Sequence, residues 1–144
     1  MIYTEKTKLA MKIAYDAHHG QINKKSGEPY IYHPIHLAEQ METEEETIVA
    51  LLHDVVEDTD IKLEQLAKDF SSVVIEALEL LTHDDSVEYM DYVRKLKPNL
   101  ISRKVKLADL QHNTDITSLD KVTEKDLKRI EKYKEAIQIL SDEN

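Results

Sequence analysis

The segment Val49-Ala50-Leu51-Leu52-His53-Asp54-Val55-Val56-Glu57-Asp58-Thr59 constrains this chain more than any other stretch. Apolar residues surround its polar positions, so it reads as a buried helix. Buried charge is costly unless it is paired or coordinates a metal. His53 and Asp54 set a neutral nitrogen ligand beside a carboxylate, and two further acids, Glu57 and Asp58, follow one helical turn later. Groups of this kind in apolar surroundings demand a positive partner. A divalent cation is the simplest one.

The rest of the chain predicts helices around that segment. Two glycines and three prolines in 144 residues leave little punctuation, which favours long helices. Thr4 is placed to cap a first helix reaching about His18, with Gly20 suited to the position after its end. Residues 20–33 contain Gly27 and Pro29 and read as a loop. A short helix is expected from Pro34 to Met41, with His33 held extended in front of the proline. Thr43 and Glu46 form a capping-box pattern that opens the central helix, which is expected to continue to about Glu57.

Leu63 to Phe70 and Val73 to Leu81 read as two further helices joined at Ser71-Ser72. Ser86 is a plausible start for a helix carrying Tyr89, Tyr92 and Val93, and Asn99 to His112 follows. Thr123 and Asp126 open a terminal helix with an apolar stripe at Leu127, Ile130, Tyr133, Ile137 and Leu140. The expected fold class is all-α, as a single domain over residues 1–144.

Composition narrows the function. With no cysteine, disulfides and thiolate chemistry are excluded. No apolar run nears the roughly 18 residues of a membrane span, and the N-terminus lacks a signal-peptide pattern, so a cytoplasmic protein is expected, with no membrane partner. A formal net charge of −10 argues against a nucleic-acid partner. The same charge would repel a phosphorylated small molecule, so a local cationic patch or a metal must reverse the field at any such site.

His33 and Asp109 are the other candidates for metal chemistry. Alone, each has a plainer reading: a surface or capping histidine, and an ion pair between Asp109 and Lys106 three residues earlier on the same helix face. With His53 and Asp54 they supply two imidazoles and two carboxylates, a set suited to manganese, iron or zinc with positions left for water or substrate.

The order His33, His53-Asp54, Asp109 resembles the HD superfamily of metal-dependent phosphohydrolases. The flanking blocks are similar to the RelA/SpoT alarmone hydrolase domain: Lys24-Lys25-Ser26-Gly27-Glu28-Pro29-Tyr30-Ile31 before His33-Pro34, Leu51 to Thr59, and Lys106-Leu107-Ala108-Asp109 ending in His112-Asn113. The match runs in family order over about residues 1 to 120 and implies a compact HD-type helical bundle with a buried metal site.

The resemblance implies that His33, His53, Asp54 and Asp109 are metal ligands, with Mn²⁺ the family's usual ion. It assigns water activation to Glu57 and Asp58, which on a helix lie four residues beyond His53 and Asp54 and so border the same face. It gives Lys24, Lys25, Ser26 and Asn113 contacts to a guanosine nucleotide, and the implied reaction is removal of the 3′-pyrophosphate of guanosine tetra- or pentaphosphate. Two positions depart from the pattern: Lys24 stands where arginine is commoner, and Asp115 where the long enzymes often carry arginine. Two alternatives stay open, a metal phosphatase acting on another nucleotide such as NADPH or a nucleoside monophosphate, and a non-catalytic nucleotide-binding module. Oligomeric state is not legible.

Overall fold

The computed structural model describes residues 1–117 and 119–143. Helix α1 (Glu5–Ala17) is capped by Thr4 as expected: its hydroxyl accepts from the Thr7 amide, and the Thr7 hydroxyl accepts from the Thr4 amide. A loop follows in which Gly27, at φ 81°, takes the left-handed conformation that glycine tolerates best. The Asn23 carboxamide oxygen accepts from the Lys25 and Ser26 amides, and an isolated bridge pairs Ile22 with Pro29. That bridge is the only extended pairing among the described residues.

Helix α2 spans Tyr32–Glu39, so His33 lies inside its first turn rather than extended before it. Pro34 does not prevent this, because first-turn amides have no intrahelical acceptor to lose. The Tyr32 and His33 amides donate instead to Pro29 and Tyr30.

Helix α3 (Glu44–Leu52) opens on the expected capping box between Thr43 and Glu46. Ile48 to Leu52 are each at most 2% exposed, and α3 forms the centre against which α1, α2, α6 and α8 pack. It does not run on to Glu57. The helix breaks at His53-Asp54 and resumes as α4 (Val55–Asp58), with Asp54 at φ −103°, ψ −2°. Adjacent residues of an unbroken helix diverge by about 100°, so the break lets both side chains turn to one point.

Helix α5 (Leu63–Leu66) is shorter than expected, because hydrogen bonds tighten to three-residue spacing at Lys68 and Asp69 before Phe70. Helix α6 (Ser72–Leu81) is capped by Ser71. Helix α7 (Tyr89–Leu96) starts after Glu88, whose carboxylate accepts from the Met90 and Asp91 amides, while the Ser86 hydroxyl bonds Asp84.

Helix α8 (Leu100–Asn113) is capped by Asn99 and packs on α2, α3, α6 and α9. The terminal helix α9 (Glu124–Ser141) begins with the expected Thr123–Asp126 box. Ile130 and Leu140 are buried, but Leu127 remains 52% exposed. Its neighbour Asp126 turns inward to meet the loop after α1, which directs Leu127 to solvent. No described helix is long and apolar enough to cross a membrane.

Candidate active site

His33 from α2, His53 and Asp54 from the break between α3 and α4, and Asp109 from α8 converge. Each offers one ligand atom, and these atoms all lie within 4.8 Å of one another. His33 Nε2 is 2.8 Å from Asp109 Oδ1, and His53 Nε2 is 2.9 Å from Asp54 Oδ2. Across the cluster, His33 Nε2 to Asp54 Oδ2 is 3.9 Å and His53 Nε2 to Asp109 Oδ1 is 3.6 Å.

Hydrogen bonding prepares both imidazoles for a cation. His53 Nδ1 donates to the Ala50 carbonyl at 2.6 Å, which leaves Nε2 as the lone-pair nitrogen. That Nε2 is buried and, despite its short distance to Asp54, has no hydrogen-bond partner. A metal ion satisfies such an atom. His33 Nδ1 lies 2.7 Å from His112 Nδ1, with the two rings stacked at 8°. Burial and the facing His33 push the His112 pKa down, which suits the His112 nitrogen to accept from His33 Nδ1 when His33 Nε2 serves a cation. His33 Nε2, hydrogen-bonded to Asp109 Oδ1 at 2.8 Å, is then the candidate ligand atom.

The electrostatics ask for the same partner. Burial resists protonation of His53, yet the charges of Asp54 and Asp109 overcome it and raise its pKa. Burial alone would raise the Asp54 and Asp109 carboxyls, but His53 and Lys106 respectively lead the interactions that hold them down. The donor set of two imidazoles and two carboxylates, with an orphaned buried nitrogen, fits a divalent cation.

On one side of the cluster lies an open chamber of about 520 Å³ whose walls include Asp54, Glu57, Asp58, His83, Lys106 and Asp109. Glu57 Oε1 accepts from the His83 amide, which fixes that side chain across the gap between α4 and the segment after α6. The Asp58 carboxylate accepts no hydrogen bond among the described residues. Partial loss of water raises both carboxyl pKas, and Asp54 adds to each. Lys106 Nζ meets Asp109 Oδ2 at 3.0 Å, so the helix-face ion pair and the candidate ligand cluster share Asp109, one oxygen each.

On the other side is a narrower cavity lined by Lys25, Ser26, His33, Asn113, Asp115 and Arg129, among others. Tyr30, Asn113 and Tyr133 line both spaces and form the wall between them. Lys25 is not free: it pairs with buried Asp126 at 3.0 Å, and Asp126 also takes Arg129 at 3.1 Å. The Thr123 amide and Lys25 hold the Asp126 pKa far below the usual carboxylate range. Lys24 is exposed and lines neither space. Asn113 Nδ2 donates to Asp109 Oδ1 at 3.0 Å, so it steadies a candidate ligand from the cavity wall.

The structure adds residues that the sequence reading left without a role. Tyr30 donates its hydroxyl hydrogen to Asp54 Oδ2. His112 sits three residues past Asp109, a spacing that puts both on one helix face and was the available signal. Asp126 gave none as a site residue, because its partner Lys25 lies in a distant loop, and Arg129 enters through its contact with Asp126.

Residues 10–134 match the model of a family described as HD domain. A guanosine-3′,5′-bis(diphosphate) 3′-pyrophosphohydrolase of Vibrio cholerae serotype O1 is 40% identical over 103 residues, covering 69% of this chain and 14% of the relative. The bifunctional (p)ppGpp synthase/hydrolase SpoT of Escherichia coli K12 is 34% identical over 126 residues, covering 76% of this chain and 18% of that protein. The chain thus spans less than a fifth of the length of these two relatives. A solved structure described as a metazoan ortholog of SpoT that hydrolyzes ppGpp superposes with a TM-score of 0.78 at 25% identity, covering 100% of this chain and 90% of that one.

Proposed function

The chain belongs to the HD domain family, and from that premise we propose that it is a metal-dependent phosphohydrolase removing the 3′-diphosphate of guanosine tetra- or pentaphosphate. The observation that carries the reading is the meeting of four candidate ligands at the junction of an acidic chamber and a second cavity bearing Lys25, Ser26 and Arg129. Relatives of stated guanosine-3′,5′-bis(diphosphate) 3′-pyrophosphohydrolase activity support the substrate. Mn²⁺ is the ion we assign.

His33, His53, Asp54 and Asp109 would hold the ion. When bound, it supplies Lewis acidity at the phosphoryl group and lowers the pKa of water. The protein's own groups do the rest. Glu57, fixed by the His83 amide, orients the attacking water, and the unencumbered Asp58 carboxylate takes its proton. The water oxygen bonds to the phosphorus joined to the 3′-oxygen as that P–O bond breaks. The 3′-oxygen takes back the proton held by Asp58 and leaves as a hydroxyl on the 5′-nucleotide, and pyrophosphate departs. Lys25, Ser26 and Asn113 line the space for the nucleotide; Lys24 would reach it only by moving its exposed side chain.

Asp115 in that lining, together with the prior claim of Asp126 on Lys25, favours one second reading: a phosphatase of the same site acting on NADPH or a nucleoside monophosphate. A side-by-side turnover panel with guanosine tetraphosphate, NADPH and nucleoside monophosphates separates the two, using the Mn²⁺-loaded protein. Guanosine tetraphosphate is expected to be preferred, with pyrophosphate as product. Preference for either of the others would sink the alarmone assignment. Nucleotide binding without turnover, indifferent to Asp54→Ala, would indicate a non-catalytic module.

A further inference from the structure

Lys106 is a half-buried ammonium with more donors than acceptors. Its side chain is 14% exposed and carries three N–H bonds, of which Asp109 Oδ2 takes one. The others meet no carboxylate or carbonyl among the described residues, and one of them faces the Tyr89 hydroxyl oxygen. The ammonium rests 5.8 Å from the Tyr89 ring centre and 5.4 Å from that of Tyr92. Aromatic faces attract a cation without satisfying its N–H bonds. A buried donor left in that state is costly unless a ligand completes it.

The two tyrosines differ in what their hydroxyls do. Tyr92 donates to the Leu81 carbonyl at 2.5 Å and so belongs to the framework. The Tyr89 hydroxyl is buried beside Lys106 and donates to no acceptor among the described residues. Burial, only partly offset by Lys106, pushes its pKa up to about 12, so it stays a donor near neutral pH. Both Lys106 and Tyr89 line the chamber that also holds Glu57, Asp58 and the metal-facing acids. Lys106 is the only lysine or arginine in that lining, which otherwise carries five carboxylates.

We propose that Lys106 and Tyr89 form the binding subsite for the diphosphate group that is transferred to water and released. The proposal rests on the phosphohydrolase reading of the site and specifies which end of the substrate enters the acidic chamber. An anionic diphosphate oxygen there accepts from the spare Lys106 N–H bonds and from the Tyr89 hydroxyl, contacts that are charge-assisted at lysine. Asp109 turns one oxygen to Lys106 and the other to His33, so Lys106 would hold a diphosphate oxygen on the chamber side of the candidate ligand cluster. The nucleoside end is left to the cavity of Ser26, Asn113 and Arg129.

The test needs no nucleotide. Inorganic pyrophosphate, with orthophosphate for comparison, is titrated calorimetrically into Mn²⁺-loaded wild type, Lys106→Met, Tyr89→Phe and the distant control Lys104→Met, with metal content measured on each sample. Lys106→Met should weaken pyrophosphate binding at least about tenfold, and Tyr89→Phe by about threefold to tenfold. Lys104→Met should match wild type, and orthophosphate should be affected less than pyrophosphate. If Lys106→Met holds its metal and binds pyrophosphate like wild type, the proposal is overturned. If Lys106→Met loses metal, Tyr89→Phe decides: unchanged pyrophosphate affinity there means Lys106 serves Asp109 alone. Failure of wild type to hydrolyse guanosine tetraphosphate would remove the substrate assignment while leaving the pyrophosphate comparison intact.

Discussion

At His33, the chemistry of one ring nitrogen is set by the other. Nδ1–H is taken up by His112 Nδ1, and that contact directs Nε2 to the cluster. Groups that orient a metal-binding histidine commonly contribute about 10–100-fold in metal affinity. His112→Phe, which keeps a flat ring without the acceptor, should therefore weaken Mn²⁺ binding by about that factor in a chelator-competition titration. An unchanged affinity would show that stacking alone positions His33. Glu57 and Asp58 behave differently, because neither enters the cluster of ligand atoms. Glu57→Gln and Asp58→Asn should each retain the metal while turnover falls about 10²–10⁴-fold, as expected for lost proton transfer. A fully active Glu57→Gln protein would remove its water-orienting role.

At the scale of elements, the informative event is the interruption between α3 and α4. The capping box at Thr43–Glu46 and the one at Thr123–Asp126 were legible because each is a local pattern whose bonds close within one turn. The break at His53-Asp54 was not, because local propensity favours continuing the helix; what stops it is the convergence of His33, Asp109 and Tyr30 from other elements. Lys25 shows the same limit, since its partner Asp126 belongs to the opposite end of the chain. The ligand residues themselves were readable in order and type, whereas the hydrogen bonds that aim them were not.

One inter-element contact has a definite pH signature. Lys104 on α8 reaches Glu46 at 3.0 Å and Glu42 at 3.2 Å at the start of α3. Burial resists the ionisation of Glu46, but the Lys104 hydrogen bond leads the contacts that lower its pKa, and Glu46 in turn raises Lys104. A depressed carboxyl contributes stability above its unfolded value of roughly 4.3, and that contribution is lost as pH falls through its folded value. Lys104→Met should therefore cost about 0.2–1 kcal/mol at pH 7, discounted because the lysine is partly exposed. Denaturant unfolding should show wild type and variant converging as pH drops below about 4. A gap that persisted in acid would assign the cost to lost packing of the lysine stem instead.

Across the whole molecule, the α3–α4 break and α8 bring carboxylates together at the centre of the bundle, with the His33 imidazole of α2 beside them. Asp54 and Asp109 lie at that centre, with Glu57 and Asp58 on the adjoining chamber wall and Lys106 as the only lysine or arginine there. A cation that binds only the folded arrangement must stabilise the fold by mass action. At a free concentration of 100 times its Kd, that amounts to about 2.7 kcal/mol. A chain of net charge −10 also attracts Mn²⁺ loosely over its surface, so thermal stabilisation alone would not locate the ion. Asp54→Ala separates the two contributions because it removes one cluster ligand and changes the surface charge little. Its metal-free form should unfold below wild type, since the Tyr30 hydroxyl loses its acceptor and His53 its leading charge partner. Its Mn²⁺-dependent increment should vanish in calorimetric melts run at a saturating concentration for wild type. An equal increment in both proteins would place the ion outside the cluster and remove the basis for hydrolysis at this site.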